Sequence, residues 1–164
     1  MPQFSRSVTV APVKRVRTFV LVGVTALVSP SMAATLTWSG ANGGSILTAT
    51  NWVGNLAPSD GDSIEFTATV TTTAVTFTGP ATISVGHVTF SGTSRPAYSF
   101  GGTGSPVLAV SGKVSVGSGG DVTFASTLNL QLTAAAHEVS VDGSTVLSVS
   151  SVVSGAGGGI DKTG

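Results

Sequence analysis

Apolar and polar residues alternate over short runs along most of the chain, and this alternation predicts half-buried β-strands. Turns rich in Gly, Ser and Asp separate the runs, and we predict three of these turns at residues 101–106, 117–121 and Asp142-Gly143. After Val28 no stretch of ten residues has the 3.6-residue period of a helix. The runs are Ile64-x-Phe66, Val75-x-Phe77, Ile83-x-Val85, Val88-x-Phe90, 107–110, Val114-x-Val116, Val122-x-Phe124, Leu128-x-Leu130-x-Leu132, Val139-x-Val141 and 146–149.

Two all-β folds accommodate such short strands. The tripeptide Val-Thr-Phe recurs at Val75, Val88 and Val122, each time with Thr facing away from its apolar neighbours. This self-similarity and the Gly-rich corners favour a right-handed parallel β-helix, with about 20 to 25 residues per coil and roughly five to six coils. An antiparallel β-sandwich is the alternative, since Asp142-Gly143 also fits a two-residue hairpin turn.

Residues 1–33 have the layout of a secretory signal peptide. A basic region ends at Arg17, an apolar run covers residues 18–28, and small residues follow up to Ala33. The apolar run is too short to span a bilayer as a permanent helix. We therefore predict an exported protein that is cleaved after Ala33, or alternatively after Ala34; a buried N-terminal helix is the competing interpretation.

Charge and cysteine content narrow the function classes. From Ala34 onward the chain has three basic and seven acidic residues, a net charge of −4, so a nucleic-acid partner is not expected. The chain has no Cys, which excludes a small exported domain held together by disulfides. Stability must come from packing or from stacking of strands.

Residues 34–66 contain both Trp residues of the chain between turn-forming segments, and we interpret them as an N-terminal cap on a solenoid body formed by residues 67–164. The first coil of a β-helix would otherwise expose its strand edges and its core. Trp38 and Trp52 suit a buried plug at that end. The alternative is that their rings stack on a sugar, which would make them carbohydrate-binding residues.

Two segments carry a family resemblance. Near the N-terminus the series is Asn51-Trp52, Gly54, Pro58, Gly61-Asp62 and a strand over residues 63–66; at the C-terminus it is Ser154-Gly155, Gly158-Gly159, Ile160 and Lys162-Thr163-Gly164. These segments resemble bacterial secreted passenger proteins with autotransporter-associated β-strand repeats.

The resemblance implies a cell-surface β-solenoid of the bacterial outer membrane with a structural or adhesive, non-enzymatic role. The Thr and Ser faces of such a solenoid suit adhesion or self-association, so we expect its partners to be cell-surface or extracellular glycans, or further copies of itself. The family pattern continues beyond the Lys-Thr-Gly series, so we expect this chain to be an N-terminal fragment that ends within its first repeat. Membrane attachment would then depend on a C-terminal anchor or barrel that this sequence lacks.

The residues needed for common catalytic sites are scarce, and we predict no catalytic residue and no cofactor. There is no Cys nucleophile and no Gly-x-Ser-x-Gly motif. His87 and His137 lie fifty residues apart, and we expect both at the surface or at coil corners rather than on a metal. The enzyme alternative is a carbohydrate-active β-helix, in which Asp121 and Glu138 would meet on one face.

The densest acidic group is Asp60, Asp62 and Glu65, three carboxylates within six residues. Carboxylate oxygens in a turn are typical Ca²⁺ ligands. The segment lacks a full ligand loop, however, and Asp-Gly-Asp is also a good turn before a strand. We predict no metal site, and these three residues are the weak calcium candidates.

Overall fold

A computed structural model describes residues 33–134, 137–155 and 160–164, so the predicted signal peptide lies outside the described residues except for Ala33. The described chain forms β-strands and a single turn of 3₁₀ helix at Ala49–Asn51. The strands are β1 Thr35–Thr37, β2 Ser63–Phe66, β3 Ala74–Thr78, β4 Thr82–Val85, β5 Val88–Phe90, β6 Tyr98–Thr103, β7 Val107–Val110, β8 Val114–Val116, β9 Val122–Phe124, β10 Asn129–Leu132, β11 His137–Val141, β12 Leu147–Val149, β13 Val152–Gly155 and β14 Ile160–Thr163.

These strands form three sheets, and the chain visits them in turn. Sheet 1 has the order β1-β2-β5-β8-β11-β14, sheet 2 the order β3-β6-β9-β12, and sheet 3 the order β4-β7-β10-β13. Every pair of neighbouring strands in these sheets is parallel. The molecule is a parallel β-helix of about five turns, which confirms the predicted fold class.

The alternative antiparallel sandwich is wrong, and Asp142-Gly143 shows why. This turn joins β11 of sheet 1 to β12 of sheet 2, so the two strands around it are not paired with each other. The backbone N–H of Thr145 donates to the Asp142 carbonyl over 2.9 Å. The turn is therefore a corner of a coil rather than a hairpin.

The register repeats about every 25 residues. Along sheet 1, Ile64 pairs with Val88, Val88 with Val114, and Val114 with Val139, which gives steps of 24, 26 and 25 residues. Apolar positions of successive coils therefore stack on one another inside the helix. The observed coil is at the upper end of the predicted length.

Aromatic residues fill the first half of the core. Phe66 and Phe90 are neighbours in sheet 1 and stack with their ring centroids 5.1 Å apart. Phe100 and Phe124 are neighbours in sheet 2, with centroids 4.9 Å apart. At all three Val-Thr-Phe tripeptides Val and Phe are buried while Thr lies on the outer face, as the alternation predicted.

Trp38 and Trp52 lie beside Phe66 within the predicted cap segment. Their rings meet edge to face with centroids 5.2 Å apart, and both side chains are buried. Each indole N–H donates to a carbonyl, Trp38 to Thr72 over 2.9 Å and Trp52 to Ile46 over 2.8 Å. Both polar atoms are thus satisfied, and the rings extend the aromatic core toward β1.

The core is more open near β12 to β14. Val149, Val153 and Ile160 are 39%, 42% and 55% exposed, and they line an apolar cavity of about 190 Å³ together with Leu130 and Leu132. Buried apolar surface therefore decreases along the solenoid from the aromatic half to this end.

Candidate functional site

The outer face of sheet 1 carries a column of polar side chains, one from each of its strands. Parallel pairing in register places each member beside the next, at about the 4.8 Å spacing of neighbouring strands. Five of the six members have hydroxyls. This polar column consists of Thr37, Glu65, Thr89, Ser115, Ser140 and Thr163.

A shallow groove of about 550 Å³ runs along part of this column. Thr89, Ser115 and Ser140 line it, together with the corner residues Ser118 and Asp142. The groove offers hydroxyls, a carboxylate and backbone atoms, which suit hydrogen bonds to an extended polar ligand. Among the described residues that line it there is no histidine, lysine or arginine.

Charge on this face is concentrated next to the polar column. Lys113 Nζ lies 2.6 Å from Glu138 Oε1, and Thr163 donates to the same carboxylate oxygen over 3.2 Å. The hydrogen bond from Lys113 is the main reason that the pKa of Glu138 falls below its ordinary value. Both side chains are substantially exposed, so this ion pair contributes little to stability.

The calcium candidates do not form a common site. Asp62 Oδ1 accepts from the backbone N–H of Ala34 over 2.8 Å and Oδ2 from that of Ser59 over 2.9 Å. Glu65 instead accepts from the Ser91 hydroxyl over 2.7 Å, and Asp60 is exposed. Among the described residues, no three His, Cys, Asp or Glu side chains are grouped so that they could hold a metal ion.

The carbohydrate candidates Trp38 and Trp52 are 0% and 1% exposed. Stacking on a sugar requires an open ring face, and here the faces and edges of both rings contact each other and Phe66. In this structure neither Trp presents a ring to solvent.

The two histidines have different surroundings. His87 is exposed, as expected, and its Nδ1 accepts from the backbone N–H of Lys113 over 2.9 Å. His137 is only 2% exposed, so of the two expected placements it takes the coil corner and not the surface. Its Nε2 accepts from the N–H of Ala134, which leaves Nδ1 to donate to the Gly112 carbonyl, both over 2.8 Å. His137 thus supports a corner through two backbone groups.

Sequence reasoning did not identify a buried cation–aromatic contact at the corner before β6. Arg95 is 2% exposed, lies 5.5 Å over the Phe90 ring and donates to the Gly117 carbonyl over 3.1 Å. Burial lowers the pKa of Arg95, against the opposing influence of Tyr98 and Asp121. An Arg in a chain with so few charges was the available signal, but the sequence shows neither that its side chain is buried nor which ring it covers.

Asp121 and Glu138 are not brought together as a catalytic pair. Asp121 immediately precedes β9 of sheet 2 and accepts from the backbone N–H of Val146 over 3.0 Å. Glu138 lies on sheet 1 and pairs with Lys113. The two carboxylates therefore belong to different sheets and bind different partners.

Within residues 33–134, 137–155 and 160–164, no helix is long and apolar enough to cross a membrane. Comparison of the chain with protein-family models, curated proteins and solved structures finds no match.

Proposed function

We propose that this chain is part of an exported, cell-surface passenger of the autotransporter type, with a structural or adhesive role and no catalytic activity. Three observations support the proposal: the secretory layout of residues 1–33, the two segments that resemble passenger proteins, and the β-solenoid fold. A solenoid of this kind displays an extended surface on a rigid core.

The observation that carries the adhesive role is the polar column on sheet 1. From Thr89 to Thr163 its hydroxyls repeat once per coil in register. A ligand with its own repeat, such as a glycan or a second solenoid, would therefore meet a hydroxyl at each of these steps. Affinity for such a surface comes from many weak contacts in parallel rather than from one deep pocket. The shallow groove beside the column is consistent with this mode of binding.

Export is tested by expressing the full chain in a Gram-negative bacterium and locating it by cell fractionation. We expect the protein in the periplasm, in the medium or at the surface. The matched control is the double substitution Leu21→Arg and Val24→Arg, which places charges in the apolar run without changing its length. Wild-type protein that stays in the cytoplasm as fully as the double variant contradicts the proposal.

The adhesive role is measured on the exported protein as self-association and as binding to immobilised glycans. Thr89→Val, Ser115→Ala and Ser140→Ala together remove three neighbouring hydroxyls of the column and are expected to weaken that binding. Ser84→Ala, on the outer face of sheet 3, is the control and should leave it unchanged. Binding that is equally unaffected by both changes rules out the column as the adhesive surface.

A further inference from the structure

The carboxylate of Asp62 lies beside Ala34, the second described residue of the chain. The side chain is only 8% exposed. One oxygen accepts from the backbone nitrogen of Ala34 over 2.8 Å, and the other accepts from that of Ser59 over 2.9 Å. Both oxygens are therefore directed at backbone donors rather than at bulk water.

This carboxylate has no cationic side chain beside it in the described part of the protein. The ion pair among the described residues joins Lys113 and Glu138, which lie on two other coils. A carboxylate taken out of water is costly unless it is compensated, and two neutral N–H donors compensate it only partly. The site around Asp62 thus favours a positive charge at the position of a donor.

Ala34 is held on both sides of its backbone. Its nitrogen donates to Asp62, and its carbonyl accepts from the N–H of Ser63 over 2.7 Å. Ala33, immediately before it, is exposed and outside the strands. Independently of this geometry, the small-residue pattern places the preferred cleavage between Ala33 and Ala34.

We propose that Asp62 is the binding site for the new α-amino group that signal-peptide cleavage creates at Ala34. This inference rests on the proposed export. Hydrolysis of the Ala33–Ala34 peptide bond by a signal peptidase consumes one water and leaves a carboxylate on Ala33 and an ammonium on Ala34. The ammonium then occupies the position of the former peptide N–H and forms an ion pair with Asp62.

Processing consequently changes the energetics of the first coil. The peptide N–H of the precursor is a neutral donor, whereas the ammonium brings the charge that the buried carboxylate lacks. Charge-assisted hydrogen bonds are about twice as strong as neutral ones. The exported, cleaved protein gains an interaction that the precursor cannot form. This interaction requires cleavage immediately before Ala34, because only then is the ammonium beside Asp62.

The test uses the product that is exported when the full chain is expressed with its own leader. Its N-terminus is identified by mass spectrometry, and the acylation rate of its α-amine is measured relative to the ε-amine of Lys162, which is exposed. We expect Ala34 to be the first residue. The α-amine should react at least about fivefold faster in Asp62→Asn than in wild type, which is the factor expected for the loss of a single modest interaction. Asp60→Asn, the same change at an exposed neighbour, should leave the rate unchanged.

The other outcomes separate a failure of the ion pair from a failure of the proposed export. Equal α-amine rates in wild type and Asp62→Asn, with Ala34 as the first residue, overturn the ion pair and leave export intact. A product that starts at another residue does the same. An intact Met1 overturns both the ion pair and the proposed export. If Asp62→Asn does not fold, wild-type protein is compared with and without urea, and an α-amine that reacts no faster after unfolding overturns the ion pair.

Discussion

Tyr98 shows how the solenoid accommodates a polar atom in an aromatic core. The side chain is 2% exposed, its ring meets Phe66 at 5.3 Å, and its hydroxyl donates to the Thr67 carbonyl over 2.8 Å. Burial raises the pKa of Tyr98 to about 12, although nearby Arg95 acts in the opposite direction. The phenol is therefore kept neutral well above the pH at which an exposed tyrosine ionises.

This shift predicts a loss of stability in alkali. Because the folded pKa of Tyr98 is raised from 10.0 to about 12, its contribution to stability is complete below pH 10 and is lost as the pH rises through about 12. Tyr98 is the single tyrosine of the chain, so tyrosinate absorbance measures this residue alone. We expect a midpoint near 12 in the folded protein, and no transition in Tyr98→Phe. A midpoint near 10 in protein that is still folded contradicts the buried position.

At the residue scale, alternation predicted which side chains are buried more reliably than it predicted their partners. Thr76 and its counterparts in the other Val-Thr-Phe tripeptides face outward because a period of two assigns each residue to one face of a strand. Arg95 and His137 were not predicted as buried. Arg95 covers the Phe90 ring of its own coil and also donates to Gly117 on the next coil. His137 contacts Gly112, which likewise lies on a different coil, and alternation along one strand does not show such contacts.

At the scale of strands and corners, glycines determine how closely successive coils approach. A Cβ at Gly120 would lie 2.3 Å from the backbone nitrogen of Ala97, on the preceding coil. A Cβ at Gly143, in the corner after β11, would have nothing within 4 Å. Two corner glycines that are alike in sequence therefore have different structural roles.

The contrast gives a paired prediction. Gly120→Ala forces the backbones of two coils apart and should destabilise the protein by about 1 to 3 kcal/mol, the usual cost of overpacking. Gly143→Ala fills open space and should change stability by no more than about 0.5 kcal/mol. Urea denaturation of the two variants measures both values. Equal losses in the two variants would contradict the close contact between coils at Gly120.

The sequence predicted most strand positions but not every boundary. Residues 101–106 were expected to form a turn, whereas β6 continues through Gly101 and Gly102 to Thr103. Gly102 can pair in this strand because it has no Cβ, which would lie 2.8 Å from the carbonyl oxygen of Phe77. A glycine required by a neighbouring coil looks the same in sequence as a glycine required by a turn, so local rules could not distinguish them.

At the scale of the whole molecule, one arrangement accounts for the buried core, the polar column and the scattered charges. Parallel stacking at about 25 residues per coil places like residues above like residues. It also distributes Asp62, Asp121 and Glu138 over different sheets or coils, where each binds backbone or side-chain groups of its own surroundings. The candidate site could be predicted only as residue types, since register decides which residues become neighbours.

Disulfide trapping tests this stacking most directly, because the chain contains no native Cys. Thr89 and Ser115 are partners in adjacent strands of sheet 1, where Cα atoms about 4.8 Å apart lie within the range of about 4.4–6.8 Å that a disulfide requires. Thr89 and Ser140 are separated by one further strand, at roughly 10 Å. Mild oxidation should therefore join Cys residues introduced at Thr89 and Ser115, but not those introduced at Thr89 and Ser140. The opposite pattern, or no cross-link in either variant, would contradict the parallel solenoid.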